Sequence, residues 1–237
     1  MLKDSFKCRA YSSVICSAVL CKCHLPLLRE GFDIGRILLL PKSLEKHERT
    51  NMKNNELYEK LKETPAAREE IFKGHIVHLV RDSVTLPNGA PATREVCLHN
   101  GAVCVVPVTD AGEIIMERQF RYPFDEVIWE IPAGKLDSKN EDVLEAAKRE
   151  LREETGYSAE EYTFLGDLYP SPAILSEKIA MYLATGLHKG EQELDEDEFL
   201  DVVKVPFAEV VEMIMRGEIP DAKTQTAVLK AKFLLGI

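Results

Sequence analysis

Residues 134–157 read GKLDSKNEDVLEAAKRELREETGY. The second half of this stretch is rich in helix formers, and Gly156 is the residue type that commonly ends a helix in the left-handed conformation. Ser138 and Glu141 have the spacing of a capping box at a helix N-terminus. The pattern therefore predicts a helix over residues 141–155.

Three glutamates lie within one and a half turns of this predicted helix. Glu150 and Glu154 are four residues apart and share a face, with Glu153 one position round. A divalent cation compensates the repulsion between such carboxylates, and oxygen-only ligands select Mg²⁺, with Mn²⁺ as an alternative. Arg149 precedes Glu153 by four residues, which predicts an ion pair that holds Glu153 in place.

The same helix has a second, apolar stripe with four-residue spacing, which is expected to dock on a sheet. This stripe consists of Val143, Ala147 and Leu151. The charged face then points into a cleft. The alternative interpretation is a solvated helix face, on which the glutamates pair with neighbouring Lys and Arg.

The segments around this helix alternate between strand and helix patterns. Residues 56–72 are charged and rich in helix formers, with a break at Thr64-Pro65. A hairpin is predicted from residues 74–80 and 92–99 around a turn at Pro87-Asn88-Gly89. Further strands are predicted at residues 101–108, 113–119, 127–131, 163–168, 179–185 and 201–206, and helices at 207–216 and 221–235. This order indicates an α/β fold with a mixed sheet covered by helices on both faces.

The first 51 residues differ in composition from the remainder. They contain nine Lys and Arg against five Asp and Glu, and four of the six cysteines. We interpret residues 1–51 as a disordered extension or as translation from an upstream start, residues 52–100 as an N-terminal helix with antiparallel strands, and residues 101–237 as the main domain. A secretory signal is not supported, because no small-residue cleavage site follows the apolar run cleanly. A zinc site at Cys16, Cys21, Cys23 and His24 is not supported, because no second pair of ligands follows at the spacing of a zinc finger.

The charge of the chain limits its partners. The formal net charge is −10, which disfavours nonspecific binding to nucleic acid, including an RNA-decapping role. The apolar run near the N-terminus is too short to cross a bilayer, so no membrane association is expected. Only Cys97 and Cys104 lie beyond residue 51, which favours a reducing, cytoplasmic location.

The ordered residues of the opening stretch resemble the Nudix box. That motif is a glycine, a glutamate, an Arg-Glu-aliphatic triplet, a Glu-Glu pair and a glycine, and it is matched by Gly134, Glu141, Arg149–Leu151, Glu153–Glu154 and Gly156. One departure is present: six residues rather than five separate Gly134 from Glu141. The extra residue falls in the loop before the helix and leaves the spacing of the helical glutamates unchanged.

The flanking sequence is most similar to the ADP-ribose pyrophosphatase branch of the Nudix family. The similar features are Arg94-Glu95, Gln119-Phe-Arg121, Glu130-Ile-Pro-Ala-Gly134, Pro172 and the acidic run at residues 195–198. The resemblance implies an α/β/α sandwich preceded by an N-terminal antiparallel sheet through which such enzymes form homodimers. It also implies Mg²⁺-dependent hydrolysis of ADP-ribose to AMP and ribose 5-phosphate.

The resemblance further implies roles for individual residues. The metal ligands would be the main-chain carbonyl of Ala133 and the side chains of Glu150, Glu153, Glu154 and Glu198. The catalytic residues would be Glu153, Arg149 and Glu196, with Glu196 as the general base and Glu198 as the alternative base. A solvated acidic turn at residues 195–198 is the competing interpretation.

Four residues are expected to bind the substrate. Arg121 has the planar donor fork that suits phosphate oxygens, against the alternative of a surface salt bridge with Asp125 or Glu126. Arg94 and Glu95 would hold the adenosine part, from across a dimer interface or within one chain. His99 is a further candidate, against the alternative of an exposed histidine at a strand end.

Two other functions remain open from the sequence. One is hydrolysis of a different nucleoside diphosphate derivative, such as a nucleotide sugar or a dinucleotide, because fold and motif do not determine specificity. The other is a non-catalytic sensor of ADP-ribose, although such modules typically lose metal-binding glutamates and this chain has all of them.

Overall fold

The computed structural model of the protein describes residues 56–194, 196 and 198–237. The predicted extension at residues 1–51, with its signal and zinc alternatives, lies outside the described residues. None of the helices in these ranges is long and apolar enough to cross a membrane.

The N-terminal part forms a three-stranded antiparallel sheet. After helix α1 (Glu56–Leu61), the strands are β1 (Thr64–Lys73), β2 (His78–Thr85) and β3 (Pro91–Leu98), in the spatial order β1-β2-β3. The predicted hairpin between β2 and β3 is confirmed. The helix-prone interpretation of residues 56–72 is wrong beyond Leu61, because cross-strand pairs such as Arg68–Asp82, at 2.7 Å, support a strand there.

The main domain contains two further sheets and three helices. A mixed sheet has the order β7-β4-β9-β8, in which β4 and β9 are parallel, and a second, antiparallel sheet has the order β10-β5-β6. The strands are β4 (Ala102–Pro107), β5 (Glu113–Arg121), β6 (Glu126–Glu130), β7 (Ala133–Lys135), β8 (Tyr157–Leu168), β9 (Ile179–Lys189) and β10 (Leu200–Pro206). The helices are α2 (Val143–Thr155), α3 (Phe207–Arg216) and α4 (Ala222–Leu235). The other predicted elements all have counterparts, and two strands were not predicted: β1 and the short β7.

Strand β4 is the centre of a three-layer structure, because both of its faces are buried. Val103 and Val105 belong to the apolar cluster that includes Ala147 and Leu151 of α2. The alternate residues of β4 belong to a second cluster with α3 and α4: Ala102, Cys104 and Val106. The α/β/α arrangement expected from the sequence is therefore confirmed.

Helix α2 begins later than predicted and is capped by a different residue. Its N-cap is Asp142, whose Oδ1 accepts hydrogen bonds from the N–H groups of Leu144 and Glu145 at 2.9 and 3.1 Å. The predicted capping box of Ser138 and Glu141 is wrong, because the Glu141 carboxylate instead accepts a hydrogen bond from Asp137 N–H at 2.6 Å. The predicted end is confirmed: Gly156 has a φ of 73° and its N–H donates to Arg152 O.

Asp142→Ala is expected to lower the free energy of unfolding by about 1 kcal/mol, because two N–H groups at the start of α2 lose their acceptor. Urea denaturation measures this change. Ser138→Ala serves as the control and should change stability by less than about 0.5 kcal/mol. Equal losses in both variants would contradict the assignment of Asp142 as the cap.

Candidate functional site

Helix α2 holds two carboxylates against the main chain of β7. Glu150 and Glu154 are one turn apart and both are buried, with 8% of the surface of Glu150 and 5% of that of Glu154 exposed to solvent. The apolar stripe of the helix docks on β4, and the turns that carry these glutamates face β7, the strand paired with β4. The Ala133 N–H donates a hydrogen bond to Glu154 Oε2 at 2.8 Å. This contact places Glu154 directly beside the segment whose Ala133 carbonyl is a predicted metal ligand.

Gly134 is required by the close approach of β7 to α2. A Cβ atom at this position would overlap the carboxylate group of Glu150. The glycine therefore leaves space for a charged side chain rather than for a turn. This gives a physical reason for the glycine of the motif, which in this chain lies sixteen residues before Glu150.

Arg149 links the acidic residues of the motif. Its guanidinium donates to Glu150 at 2.8 Å, to Glu153 at 3.1 Å and to Glu141 at 3.2 Å. Burial alone would lower the pKa of Arg149, but these carboxylates raise it overall. The predicted pair with Glu153 is confirmed, and Glu141 acquires a defined contact as a partner of Arg149.

Arg149→Gln is expected to reduce the rate of the Mg²⁺-dependent hydrolysis that the sequence implies by about 10- to 100-fold. It should also raise the Mg²⁺ concentration for half-maximal activity, because Glu150 and Glu153 lose their common partner. Arg152→Gln is the matched control. Arg152 lies three residues further along α2 and is about half exposed, and its contact to Glu153 is longer, at 3.5 Å. A loss of rate in Arg149→Gln without a change in the Mg²⁺ requirement would indicate a structural role only.

A cavity of about 580 Å³ adjoins this face of α2. It is lined by most of the residues predicted to bind metal or to support the ligands. These are Ala133, Arg149, Glu150, Glu153, Glu154 and Glu198. The structure therefore brings together residues from β7, α2 and the late acidic loop.

The carboxylates of this cavity are unfavourable as charged groups without a counter-ion. Burial raises the pKa of Glu150 to about 7. Burial also raises the pKa of Glu154, and the nearby carboxylates of Glu117 and Glu150 raise it further. A hard divalent cation suits this oxygen-only donor set, since it would stabilise the negative charges of Glu150 and Glu154 at once.

The side chains are not arranged as a closed metal cage. Within the described residues, no group of three or more His, Cys, Asp or Glu already forms one. The guanidinium of Arg149 contacts one oxygen of Glu150, and the Ala133 N–H contacts one oxygen of Glu154. The donor set fits a divalent cation, and the second oxygens of both glutamates are the ones left for it.

Arg121 lines the cavity but has a partner that the sequence did not indicate. It donates two hydrogen bonds to Glu130, at 2.6 and 2.8 Å. Neither Asp125 nor Glu126, the alternatives considered above, is that partner. Burial alone would raise the pKa of Glu130, but Arg121 and Lys223 together lower it below its ordinary value.

Lys223, at the start of α4, is a cationic residue of the cavity that sequence reasoning missed. Its ammonium contacts Glu130 and lies 3.2 Å from Asp221. It is far from the motif in sequence, and only the packing of α4 against β4 and β9 brings it to the site. No local pattern around Lys223 could have found it.

His99 lies in the cavity wall and not at an exposed strand end. Its side chain is 16% exposed, and its Nδ1 lies 3.5 Å from Glu177 Oε1. Gly101 N–H donates to the same Nδ1 at 3.1 Å. The interpretation of His99 as an exposed histidine is therefore wrong.

Arg94 and Glu95 lie outside the cavity of this chain. Both are in β3, where Arg94 pairs with Glu63 and Glu95 pairs with Arg81 at 3.1 Å. The structure thus does not bring them to the glutamates of α2 within one chain. Their proposed contact with the substrate requires a second subunit.

The two acidic residues considered as general base differ in position. Glu198 lines the cavity, whereas Glu196 is exposed and does not line it. Asp195 and Asp197 lie outside the described residues. The preceding segment is attached to the C-terminal end of α2, because Glu193 N–H donates to Glu153 O at 3.0 Å.

Comparison with known proteins supports the resemblance. The NUDIX domain family matches residues 98–226. The chain is 44% identical over 170 residues to a protein of Bacillus subtilis (strain 168) named ADP-ribose pyrophosphatase, covering 71% of this chain and 91% of that protein. It is 44% identical over 162 residues to a protein of Bacillus methanolicus named methanol dehydrogenase activator, covering 68% of this chain and 87% of that protein. A solved structure described as an ADP compounds hydrolase superimposes with a TM-score of 0.67 at 27% identity, covering 74% of this chain and 95% of that one.

Proposed function

We propose that this chain hydrolyses ADP-ribose to AMP and ribose 5-phosphate. The chain belongs to the NUDIX domain family and is a Nudix hydrolase, and the proposal proceeds from that membership. The observation that carries this proposal is the pair of buried glutamates, Glu150 and Glu154, held against β7 in the wall of the cavity. The similarity to an ADP-ribose pyrophosphatase and to an ADP compounds hydrolase supports the choice of substrate.

The reaction is proposed to depend on Mg²⁺, with Mn²⁺ as a substitute. The residues that would hold the cation are Ala133 (through its carbonyl), Glu150, Glu153, Glu154 and Glu198. When bound, such a cation neutralises the diphosphate and lowers the pKa of a coordinated water. Arg149 keeps Glu150 and Glu153 in position through its hydrogen bonds to both.

The positive side of the cavity is proposed to orient the diphosphate. Arg121 and Lys223 both line it, and both contact Glu130. A phosphate group that replaces part of this contact would meet two donors already fixed in direction. His99, which also lines the cavity, is proposed as a further contact to the substrate.

Glu196 is proposed as the general base that removes a proton from the attacking water, with Glu198 as the alternative. The position of Glu198 in the cavity wall favours the alternative, whereas the resemblance favours Glu196. The kcat of Glu196→Gln separates them, because Glu198→Gln would lose rate as a metal ligand in either case. A large loss of kcat in Glu196→Gln supports Glu196 as the base, whereas a nearly wild-type kcat in Glu196→Gln, with a large loss in Glu198→Gln, supports Glu198. Glu191→Gln, on the exposed start of this segment, is the control.

The protein is proposed to form a homodimer through the N-terminal sheet. Every residue of β1 is exposed in the single chain, and Ile71, Phe72 and Val77 add exposed apolar surface at this sheet. Arg94 and Glu95 would then reach the substrate of the other subunit. Light scattering of the full chain tests this, with twice the mass of one chain as the expected result and a monomer as the contrary one.

The decisive experiment for the function is a panel of diphosphates assayed in the presence of Mg²⁺ for release of the nucleoside monophosphate, which is AMP for ADP-ribose and other ADP compounds. We expect ADP-ribose to have the highest kcat/KM, followed by other ADP compounds, since the structural similarity is to a hydrolase of that class. A nucleotide sugar or dinucleotide that exceeds ADP-ribose would change the substrate. Binding of ADP-ribose without turnover would replace the enzyme by a sensor.

The protein is proposed to act in the cytoplasm on a small molecule, with neither nucleic acid nor membrane as a partner. The acidic net charge of −10 supports the first exclusion. The two cysteines in the part of the chain that the structure describes, Cys97 and Cys104, are not joined in a disulfide. Fractionation of the source cells would test the location.

A further inference from the structure

Glu117 is a buried carboxylate outside the Nudix motif. Only 3% of it is exposed, and its Oε1 has no hydrogen-bond partner among residues 56–194, 196 and 198–237. A carboxylate in this condition is costly to bury unless a partner compensates its charge. It is the only buried side-chain oxygen or nitrogen within these ranges that lacks a partner.

The position of Glu117 in β5 directs it toward the cavity. Glu117, Gln119 and Arg121 alternate along the strand, so their side chains share one face of the sheet. Gln119 and Arg121 line the cavity, and Glu117 lies deeper on the same face. Of the charged groups around Glu154 of α2, Glu117 acts on it most strongly. Ile115, two residues before Glu117 on the same face, packs in one apolar cluster with Ala147 and Leu151 of α2, so this face of β5 is turned toward the helix that carries Glu154.

The cations near Glu117 are already engaged elsewhere. Glu117 and Glu130 are directly opposite in the β5–β6 pair, an arrangement of like charges that destabilises a sheet. Glu130 takes both hydrogen bonds of Arg121 and the ammonium of Lys223. The carboxylates of Glu130 and Glu198 add to the effect of burial in raising the pKa of Glu117, and Lys223 and Arg121 offset this only in part. Among the described residues, neither Arg121 nor Lys223 donates a hydrogen bond to Glu117 Oε1.

We propose that Glu117 is a further ligand of the divalent cation, with its Oε1 bound directly or through one coordinated water, at a position between β5 and α2 that it shares with Glu154. The alternative is a structural acid that remains protonated in the core. The role of this cation in catalysis rests on the proposed function, but cation binding itself does not.

The test measures Mn²⁺ binding to the full chain without substrate. The electron spin resonance signal of free Mn²⁺ reports how much of the ion remains unbound. Glu117→Gln keeps the shape of the side chain and is expected to weaken Mn²⁺ binding by at least about tenfold. Glu113→Gln is the matched control, because Glu113 is on the same face of β5 but is bonded to Thr109. It should bind Mn²⁺ like the wild type.

Thermal unfolding separates the ligand from the structural acid. A ligand role predicts that Glu117→Gln has an unchanged or higher Tm without metal and a smaller increase in Tm on adding Mn²⁺. A structural role predicts wild-type Mn²⁺ affinity, and that result overturns the proposal. If Glu117→Gln does not fold, Glu117→Leu, which needs no hydrogen-bond partner, takes its place in both measurements.

The outcomes distinguish this inference from the proposed function. Weaker Mn²⁺ binding by Glu117→Gln in a protein that does not release AMP from ADP-ribose supports the ligand and refutes the substrate. Release of AMP by the wild type, with unchanged Mn²⁺ affinity in the variant, supports the substrate and refutes the ligand. A wild type that binds no Mn²⁺ at all refutes the ligand as well.

Discussion

Glu154→Gln is expected to lower the rate of AMP release from ADP-ribose by at least about 100-fold, which is more than the usual cost of losing a group that merely supports a ligand. Glu154 is buried, and the Ala133 N–H holds one of its oxygens. Glutamine retains the shape and a carbonyl oxygen for that hydrogen bond, but it removes the charge that binds a cation. Chromatographic measurement of AMP in millimolar Mg²⁺ gives the rates.

Two comparisons make this result interpretable. Glu145→Gln changes the same residue type on the exposed side of α2, where Glu145 pairs with Lys148 at 2.8 Å, and it should leave the rate unchanged. The Tm of Glu154→Gln without metal should not fall, because burial and Glu117 disfavour the charge that is removed. A wild-type rate in Glu154→Gln would exclude Glu154 as a metal ligand.

Gly134→Ala is expected to lower the rate by about 100-fold, because the added methyl group overlaps the Glu150 carboxylate and moves either that ligand or β7. The same overlap should lower the free energy of unfolding by about 1–3 kcal/mol. Urea denaturation and AMP release measure the two effects on the same preparations.

The double variant Gly134→Ala/Glu150→Ala identifies the cause. Removal of the Glu150 side chain relieves the overlap, so the double variant should be more stable than Gly134→Ala alone. Its rate should remain low, since the ligand is missing. A single variant with both normal stability and normal rate would show that β7 and α2 have more space between them than the structure indicates.

The helix and its carboxylates could be predicted from the sequence because their determinants are local. Spacing of four residues fixes which glutamates share a face, and Gly156 ends the helix through its own backbone conformation. The start was less predictable, since Ser138 and Asp142 both offer a capping oxygen. The structure uses Asp142.

Strand β1 could not be predicted from its own residues. Its sequence, TPAAREEIFK, favours a helix, and all ten of its residues are exposed. Its strand conformation depends on pairing with β2, through contacts such as Arg68–Asp82 that are fourteen residues apart. A single sequence gives no signal for such a pairing.

The partners of Arg121 and the environment of Glu117 were hidden for a related reason. The alternation of Glu117, Gln119 and Arg121 was available from the sequence, but it did not show which face of β5 meets α2. Lys223 reaches Glu130 across ninety-three residues. Ion pairs between residues so far apart in sequence depend on how the elements pack, and only the fold brings the two charges together.

The burial of both faces of β4 has a consequence for how the enzyme can change. The side chains of Val103 and Val105 support α2, which carries the anionic wall, and those of Cys104 and Val106 support α4, which carries Lys223 of the cationic wall. Strand β4 thus separates the two walls, and a change in the volume of its side chains is expected to change the distance between them. Substitutions that enlarge or shrink these side chains would retune substrate preference without altering any group that touches the substrate.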